Sequence, residues 1–312
     1  MRAVYIESFA PESPLDGLVV GERPEPVVPP GWSLVEVRAA SLNRHDLWSL
    51  RGVGLAEKNL PMILGCDAAG VTEDGREVIV HAVVADRGRR SVLSEQHQGA
   101  FAERLVVPTA NLVTKPAELT FEEAACLPTA WLTAYQMLFG KADVEPGGTV
   151  LVQGAGGGLA TALVLLARSA GFRVLVTSRS EQNRAFALDL GAEGAYESGA
   201  RLPERVDAVM DSVGAATWPH SLKCLKPGGT MVVSGATSGY QITVDAALVF
   251  AKQLTIRGSS MGSLERLDRL ANLCASAGIK PPIHQVLPLA EAHAGFAAME
   301  QDDLRGKIVF TP

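Results

Sequence analysis

A glycine-rich turn, GAGGGLA at 154–160, is the part of the sequence best suited to hold an anionic ligand. It follows TVLVQG (149–154), a β-branched run typical of a buried strand, and opens the apolar segment LATALVLLARSAG, which predicts a helix. Glycines there let backbone amides at a helix N-terminus approach a pyrophosphate. We predict a dinucleotide site, and a turn that binds nothing is the alternative. The predicted contacts are Gly154, Gly156, Gly157, Gly158 and Leu159.

The end of the next strand, RVLVTS (173–178), indicates which dinucleotide binds. An Asp or Glu at this point would accept hydrogen bonds from a ribose 2′-hydroxyl and repel a 2′-phosphate. The chain has no acid here but TSRS at 177–180, and a guanidinium suits bidentate phosphate binding. Ser178 and Arg179 are therefore predicted to select NADPH over NADH. In the alternative interpretation, Ser178 and Ser180 only cap the next helix and Arg179 is solvated.

The arrangement of elements predicts an α/β protein of two domains. Strand-like and helix-like segments alternate over 149–259, which is typical of a doubly wound parallel sheet, with a loop expected between Ala195 and Val206. Residues 1–120 contain short β-like pieces between Pro and Gly clusters, as in an irregular, mainly antiparallel barrel. The tail from Met261 has the same character. We predict a barrel-like domain at 1–125, rejoined by 261–312, and a nucleotide-binding domain at 126–260.

The composition argues against nucleic-acid and membrane partners. The 312 residues carry 28 Lys and Arg against 34 Asp and Glu, a net charge of −6, so the positive field that drives nucleic-acid binding is missing. No apolar run is long enough to span a bilayer, and the start MRAVYIESFA has no features of a targeting signal. The one dense basic cluster, interpreted as a solvated loop, is Arg87, Arg89 and Arg90.

Cysteine usage favours a reducing compartment. The four cysteines are scattered and include no CxxC pair, which indicates neither a disulfide framework nor a zinc knuckle. We therefore expect reduced thiols in a cytoplasmic protein. The four are Cys66, Cys126, Cys224 and Cys274.

Segments spread over nearly the whole chain resemble one superfamily, the medium-chain dehydrogenases/reductases, and within it the zinc-free quinone oxidoreductase (zeta-crystallin-like) branch. The resemblance implies a GroES-like β-barrel catalytic domain, a Rossmann domain, an active site in the cleft between them and a homodimer. Its carriers are ASLNRHDLWSLRG (40–52), LGCDAAGV (64–71), GAFAERLVVP (99–108), LTFEEAACLPTAWLTAY (119–135), PGGTVLVQGAGGGLA (146–160), DSVG (211–214), KPGGTMVVSGATSG (226–239), IRGSSMGS (256–263) and RGKIVF (305–310).

The resemblance also implies further cofactor contacts. Thr133 would lie near the nicotinamide and Lys307 would approach the pyrophosphate as a counter-charge. The alternative for Gly235 and Gly258 is ordinary strand-end turn chemistry, and for Lys307 it is a solvated surface position. The remaining implied contacts are Ser212, Val213, Ser234, Gly235, Ala236, Gly258, Ser259 and Ser260.

The positions that hold catalytic zinc in alcohol dehydrogenases of this superfamily correspond here to Asn43, Cys66 and Thr129. Only one of them is a soft ligand, whereas a catalytic zinc needs three protein ligands. The segment 82–98, where a structural zinc lobe would lie, contains no cysteine. We therefore predict a metal-free protein, in which Cys66 is more readily explained as a small buried thiol than as a nucleophile.

Without a Lewis acid, reduction of a polarised C=C bond is easier to support than alcohol oxidation. NADPH would give hydride to a quinone or enone, and the resulting anion needs hydrogen-bond donors and a proton. The candidate catalytic residues are Asn43, His45 and Thr129, while Asp46 is expected to hold its loop through backbone amides. Trp48, Cys66 and Trp131 are candidates for a flat substrate pocket, although both tryptophans could equally belong to the core.

Two other functions stay open at this level. A 2-enoyl thioester reductase (enoyl-CoA or enoyl-ACP) would use the same hydride geometry, and a zeta-crystallin-like protein could bind NADPH without turnover. For subunit pairing in the expected homodimer, the predicted edge strand at 253–259 is the first place to look, because unpaired strand edges invite pairing.

Overall fold

The computed structural model describes residues 1–86, 88–301 and 304–312, and for Asp86 and Arg89 the backbone alone. The chain divides into two compact units. The first combines Met1–Ala130 with Ser263–Pro312, and the second is Trp131–Gly262. These divisions fall a few residues beyond the boundaries predicted at 125 and 261. Among the described residues, none of the helices has the length and apolar content needed to cross a bilayer.

The strands follow the predicted division into two types of sheet. In chain order they are β1 (Arg2–Ile6), β2 (Leu18–Glu22), β3 (Trp32–Ser41), β4 (Met62–Ile63), β5 (Asp67–Thr72), β6 (Glu77–Val80), β7 (Val83–Asp86), β8 (Arg89–Val92), β9 (Arg104–Pro108), β10 (Leu112–Thr114), β11 (Thr149–Gln153), β12 (Arg173–Thr177), β13 (Gly194–Tyr196), β14 (Val206–Asp211), β15 (Leu225–Val233), β16 (Thr255–Gly258), β17 (Ile283–Pro288) and β18 (Lys307–Thr311).

Helices are concentrated in the second unit and in the tail. They are α1 (Arg44–Leu50), α2 (Phe121–Ala125), α3 (Leu132–Lys141), α4 (Gly158–Ser169), α5 (Glu181–Asp189), α6 (Trp218–Cys224), α7 (Ala246–Ala251), α8 (Leu264–Ala277) and α9 (Ala292–Glu300), with a π-helical turn at Leu127–Trp131.

The first unit is mainly antiparallel, as predicted. Its large sheet has the order β10-β6-β5-β3-β18-β17, with β9 also on β3, and a smaller sheet has the order β2-β1-β4. The ten-residue β3 is the centre of the large sheet because it pairs with β5, β9 and β18. The pairing of Val309 with Ser41 and of Phe310 with Ala40 explains why the tail returns to this unit: β18 completes its sheet.

The basic cluster predicted as a solvated loop belongs partly to a two-stranded hairpin. β7 and β8 pair antiparallel, with Ala85 opposite Arg90, so Arg89 and Arg90 are strand residues rather than loop residues. Arg87 lies outside the described residues.

The second unit is a six-stranded, wholly parallel sheet of order β13-β12-β11-β14-β15-β16. This is the doubly wound order, in which the direction of winding reverses between β11 and β14. The stretch between β13 and β14 contains no helix, as predicted. The apolar β-branched runs fill both faces: β11 is buried along its whole length. Helix α6 ends at Cys224, and β15 begins directly after it at Leu225.

Packing around Phe101 fixes the backbone that leads into β5. Phe101 is fully buried and meets Phe310 edge-on, with ring centroids 5.1 Å apart. Gly65 lies against it with a positive φ of 96°, and a Cβ added there would be 2.6 Å from Phe101 Cδ1. Glycine is therefore required twice at this position, for the backbone angle and for the space.

We predict that Gly65→Ala destabilises the protein more than a matched glycine substitution. Gly75 has a similar φ of 84° but open space where its Cβ would be, so Gly75→Ala carries only the backbone cost. Overpacking against Phe101 should lower the free energy of unfolding of Gly65→Ala by about 1–3 kcal/mol more, measured by urea denaturation. Equal destabilisation of the two variants would show that the Phe101 ring yields without cost.

Candidate active site

The predicted cofactor residues of the second unit lie in the loops at the carboxyl ends of its strands. Because all six strands are parallel, their carboxyl ends lie on the same side. The glycine turn follows β11, the TSRS segment follows β12, and the remaining three loops follow β14, β15 and β16. In doubly wound folds ligands bind at this edge, where the winding reverses.

The glycine turn leaves room for a ligand close to the backbone. Gly154 has a positive φ of 93°, and its N–H donates to the Thr177 carbonyl at 2.9 Å, which ties the turn to β12. A Cβ added at Gly154 or Gly157 would meet no atom within 4 Å. Gly157 is the N-cap of α4, so no side chain caps the amides of this helix. The turn therefore fits the pyrophosphate of a dinucleotide.

The loop after β12 is held by a residue that the sequence reasoning missed. Arg184 Nη1 donates to the carbonyls of Ser178 at 2.7 Å and Arg179 at 3.1 Å. Ser180 caps α5, accepting from the Asn183 N–H at 3.2 Å, as the alternative interpretation expected of it. Arg179 is exposed and Ser178 half-buried. The loop thus carries a basic, acid-free surface on a fixed backbone.

A buried carboxylate organises the loop after β14. Asp211 accepts from the N–H groups of Val213 at 2.9 Å and Gly214 at 3.1 Å, and from the hydroxyls of Thr217 and Ser221, both at 2.8 Å. This carboxylate fixes the backbone of Ser212 and Val213, two of the predicted cofactor contacts. Sequence reasoning did not single out Asp211, although a polar residue at the end of an apolar strand was a usable signal.

The predicted glycines of the last two strands differ in their surroundings. A Cβ at Gly235 would lie 2.8 Å from the Ser212 carbonyl oxygen, so this glycine is required by the close approach of two loops. A Cβ at Gly258 would meet nothing within 4 Å, so the end of β16 is open. Ala236 and Ser259 lie at the same edge, and Ser260 follows. Their contact with a cofactor stays a prediction.

Two residues at the start of the second unit are buried. Trp131 is fully buried, and its indole N–H has no hydrogen-bond partner. It is thus a core residue in this structure and not the open pocket wall that was one of its two predicted roles. Thr133, in the first turn of α3, is 7% exposed.

A buried polar cluster forms at Asp67 in the first unit. Asp67 Oδ2 accepts from Ser41 Oγ at 2.9 Å and Asn43 Nδ2 at 2.8 Å, and Thr129 Oγ1 donates to Oδ1 at 2.5 Å. Lys307 Nζ is 3.6 Å from Oδ2. The structure therefore brings together Asn43 and Thr129, as the prediction of a shared site required. Asp67, the acceptor that unites them, was missed.

The direction of these hydrogen bonds corrects the predicted role of Asn43 and Thr129. The Asn43 side-chain amide donates to the Asp67 carboxylate and to the Ser41 carbonyl, the latter at 3.3 Å. The one hydroxyl hydrogen of Thr129 is donated to Asp67. Neither group can donate to a substrate carbonyl in this arrangement unless a bond to the cluster breaks. Thr129 Oγ1, which is half-buried, presents lone pairs instead.

Lys307 also has other partners than those predicted. Its side chain is 3% exposed, and Nζ donates to the Leu42 carbonyl at 2.8 Å and to Asn43 Oδ1 at 2.6 Å. A solvated surface position is therefore wrong. This geometry does not support the expected contact with a pyrophosphate, because the ammonium already donates its hydrogen bonds to buried groups of the first unit.

Asp46 holds its loop as predicted. Its carboxylate accepts from the Asn43 N–H at 2.9 Å and from the Gly65 N–H at 3.0 Å. These bonds connect the start of α1 with the turn that leads into β5. Burial raises the pKa of Asp46 to about 6, against the opposing charge of the neighbouring His45.

The other residues predicted near the substrate have distinct positions. Cys66 is fully buried, with Sγ donating to the Leu93 carbonyl at 3.3 Å, and burial raises the pKa of its thiol well above the usual value. This is the inert small thiol of the preferred interpretation and not a pocket wall. Trp48 is half-buried beneath the Arg51 guanidinium, 5.3 Å from its ring centroid. His45 lies in the first turn of α1 and is a quarter exposed.

Comparison with known proteins finds dehydrogenase and reductase relatives over nearly the whole chain. Two family models match: the alcohol dehydrogenase GroES-like domain at residues 29–117 and the zinc-binding dehydrogenase model at 158–276. A probable quinone oxidoreductase of Schizosaccharomyces pombe is 31% identical, covering 98% of this chain and 95% of its own. A crotonyl-CoA carboxylase/reductase of Cereibacter sphaeroides is 29% identical, covering 85% of this chain and 76% of its own.

A solved NAD-dependent alcohol dehydrogenase has a TM-score of 0.91 to this chain, at 34% identity over the whole of both chains. With the fold and the sequence relatives, this similarity shows that the chain belongs to the medium-chain dehydrogenase/reductase superfamily and is one of its oxidoreductases.

The residues of this chain do not fit the catalytic zinc that the second family model is named for. Asn43 and Thr129 are bonded to Asp67, and the Cys66 thiol faces the Leu93 carbonyl. Among the described side chains (1–85, 88, 90–301 and 304–312), no three His, Cys, Asp or Glu residues are grouped so that they could hold a metal ion. A zinc ion there would have one soft ligand, so no step is assigned to it.

We predict that the Asp67–Lys307 pair shows strong coupling in stability. Asp67→Asn should lower the free energy of unfolding by about 3–5 kcal/mol, because the buried Lys307 ammonium would lose the carboxylate that lies 3.6 Å from it. Lys307→Met should be costly for the converse reason. The double variant should cost clearly less than the two single variants added together. Urea denaturation of all three at pH 7 measures this.

The control for this cycle is a charge pair on the surface of the same unit. Glu265 and Arg269 form an exposed pair 2.7 Å apart on α8, and Glu265→Gln should cost no more than about 0.5 kcal/mol. A cost for Asp67→Asn as small as this, or strict additivity in the double variant, would contradict the buried pair.

Proposed function

We propose that the protein is an NADPH-dependent reductase that transfers hydride to a quinone or another activated enone without a metal ion. The observation that carries the cofactor half of this proposal is the acid-free loop after β12. It presents Arg179 at the sheet edge beside an open glycine turn. The similarity to a quinone oxidoreductase over 98% of the chain supports the substrate half.

The choice of NADPH rests on charge and on a fixed backbone. A 2′-phosphate would be met by the Arg179 guanidinium, and the carbonyls of this loop are already occupied by Arg184. No carboxylate stands at the end of β12 to accept from a ribose 2′-hydroxyl. The solved relative at 34% identity is an NAD-dependent enzyme.

The first unit supplies the polar groups for the chemistry. Bound NADPH supplies the hydride. Asp67 holds Asn43 and Thr129 in fixed positions, and Lys307 keeps a positive charge beside them. Since the hydrogens of Asn43 and Thr129 are committed to Asp67, His45 is the group we assign to carry the proton.

A second candidate function is reduction of a 2-enoyl thioester. It is favoured by the similarity to a crotonyl-CoA carboxylase/reductase, which covers 85% of this chain. In both reactions NADPH would supply the hydride and the same residue would supply the proton, so only the substrate distinguishes them. A third possibility, NADPH binding without turnover, would leave the cofactor argument intact.

The cofactor prediction is tested by titration with NADPH and NADH, followed through nicotinamide fluorescence. Wild type should bind NADPH about ten- to a hundredfold more tightly, which is the worth of one or two charge-assisted hydrogen bonds. Arg179→Gln should lose most of that preference and leave NADH binding nearly unchanged. Arg205→Gln, at the opposite end of the sheet, is the matched control. A preference of wild type for NADH would overturn the proposed cofactor.

The same samples then distinguish the two reactions. Rapid NADPH oxidation with 9,10-phenanthrenequinone and little with crotonyl-CoA supports the proposal. The reverse result selects the thioester reductase. Binding of NADPH with no oxidation by either substrate would contradict a reductase of either kind.

We further propose that the chain forms a homodimer through β16. This strand is the edge of the parallel sheet, and Ile256 on it is 38% exposed. Phe250, near its start on α7, is 74% exposed. An edge strand beside exposed apolar side chains is a common site of pairing between identical chains.

We predict that Ile256→Lys converts a dimer to a monomer in size-exclusion chromatography with light scattering. Lys on an edge strand opposes pairing by charge repulsion. The matched control is Val286→Lys, which places the same charge on the edge strand β17, where Val286 is 47% exposed. A monomeric wild type, or a dimer retained by Ile256→Lys, would contradict the proposed interface.

A further inference from the structure

The imidazole of His45 lies near a carboxylate from a distant part of the chain, that of Glu95. Nε2 of His45 is buried and lacks a hydrogen-bond partner, and the nearest carboxylate oxygen is Glu95 Oε1 at 3.7 Å. The His45 side chain is 25% exposed and that of Glu95 is 21% exposed. The pair is therefore partly shielded from solvent, where a charge pair has more effect than on the surface.

Glu95 is fixed from several sides. Its Oε2 accepts from the Val92 N–H at 3.0 Å, which leaves Oε1 for His45. Its own carbonyl accepts from Asn59 Nδ2 at 2.7 Å. The preceding residue, Ser94, is buried with a positive φ of 69°, so the turn after β8 has a strained, defined shape that directs Glu95.

Two further contacts connect this turn to the cluster around Asp67. The Cys66 thiol, adjacent to Asp67, lies 3.3 Å from the Leu93 carbonyl and 3.6 Å from Ser94 Oγ. Gly54, with φ of 83°, packs over the pair: a Cβ there would lie 3.1 Å from Glu95 Oε1 and 3.4 Å from His45 Cε1. A larger residue at 54 would separate the two side chains.

We propose that Glu95 is a positioning residue that orients His45 and stabilises its imidazolium form, so that His45 donates the proton in the reduction. This inference rests on the proposed function. The carboxylate at Nε2 keeps a proton on that nitrogen, and the proton given to the substrate leaves from Nδ1. Asp46, the next residue of the same helix, also acts on His45 through space.

The proton balance is complete without another reactant. The hydride from NADPH forms a C–H bond on the substrate and leaves one negative charge there. The Nδ1–H bond of His45 breaks, its proton neutralises that charge, and the imidazolium becomes neutral imidazole. Because His45 is a quarter exposed, solvent returns the proton to Nδ1 after each turnover.

The pairing can be measured without any activity, by titrating the histidines by NMR in protein with ¹⁵N-labelled imidazole rings. The His45 signals are assigned by their loss in His45→Gln. Glu95→Gln keeps an oxygen for the Val92 N–H but removes the charge, so the His45 signals should titrate at lower pH than in wild type. Glu57→Gln, an exposed glutamate of the same unit, should leave it unchanged. An unchanged His45 pKa in Glu95→Gln would overturn the proposal.

The role in catalysis is read from the pH profile of kcat/KM with 9,10-phenanthrenequinone. A proton donor acts only while it is protonated, so the rate should fall as pH rises, and in Glu95→Gln it should fall at lower pH than in wild type. In a His45→Gln background, Glu95→Gln should have no further effect. Equal rate losses at every pH would indicate a merely structural Glu95 and contradict the positioning role.

The two proposals fail in different ways. A shifted His45 pKa with no turnover of any substrate would remove the proposed reductase function and keep the pairing. Full turnover with an unshifted pKa and an unshifted profile in Glu95→Gln would keep the reductase and remove Glu95.

Discussion

The buried carboxylate of Asp67 is the interaction on which the first unit depends. It is fully buried, and a buried charge is tolerated only when it is paired and hydrogen-bonded. Its partners come from the end of β3, the loop before α1, the π-helical turn and β18. Segments from residue 41 to residue 307 therefore meet at one side chain. The return of the tail to the first unit supplies the ammonium of Lys307 as well as a strand.

The same positions can serve different chemistry in one fold. Where zinc enzymes of the superfamily have soft ligands, this chain has an amide at Asn43 and a hydroxyl at Thr129, and both are hydrogen-bond donors. Donors of this kind satisfy a carboxylate, and they do so at Asp67 with distances of 2.8 and 2.5 Å. With hydrogen-bonding side chains in place of soft metal ligands, the residues at these positions surround a carboxylate and an ammonium instead of a metal ion.

Much of the fold followed from the sequence because it depends on local patterns. The buried runs before Gly154 and Ser178 predicted β11 and β12, and the glycines between strand and helix predicted an open turn, since both signals are contained in a few neighbouring residues. The β-like pieces of the first 120 residues predicted an antiparallel unit for the same reason. The exact ends were less predictable: the stop of α6 at Cys224 depends on when β15 joins the sheet.

The proximity of Asn43 and Thr129 was predictable from the sequence, and their hydrogen bonding was not. Asn43 and Thr129 do lie together, yet the direction of their hydrogen bonds depends on Asp67, which is 24 and 62 residues away along the chain. Glu95 and Arg184 were missed for the same reason. A glutamate in a turn and an arginine on a helix are common, and only tertiary approach brings one to His45 and the other to the loop carbonyls of Ser178 and Arg179.

Charge balance links Asp46 to this cluster. Two carboxyl groups, those of Asp46 and Asp67, are buried near the single ammonium of Lys307. A proton on Asp46 would leave one carboxylate against one ammonium, and burial accordingly raises the pKa of Asp46 to about 6. Since the folded state then holds this proton more tightly than the unfolded chain, the contribution of Asp46 to stability is greatest below about pH 4 and declines as pH rises to about 6. At neutral pH the loop between β3 and α1 is thus held by the ionised carboxylate of Asp46, and burying that charge costs free energy. Its two backbone N–H donors, from Asn43 and Gly65, are what keep it in place.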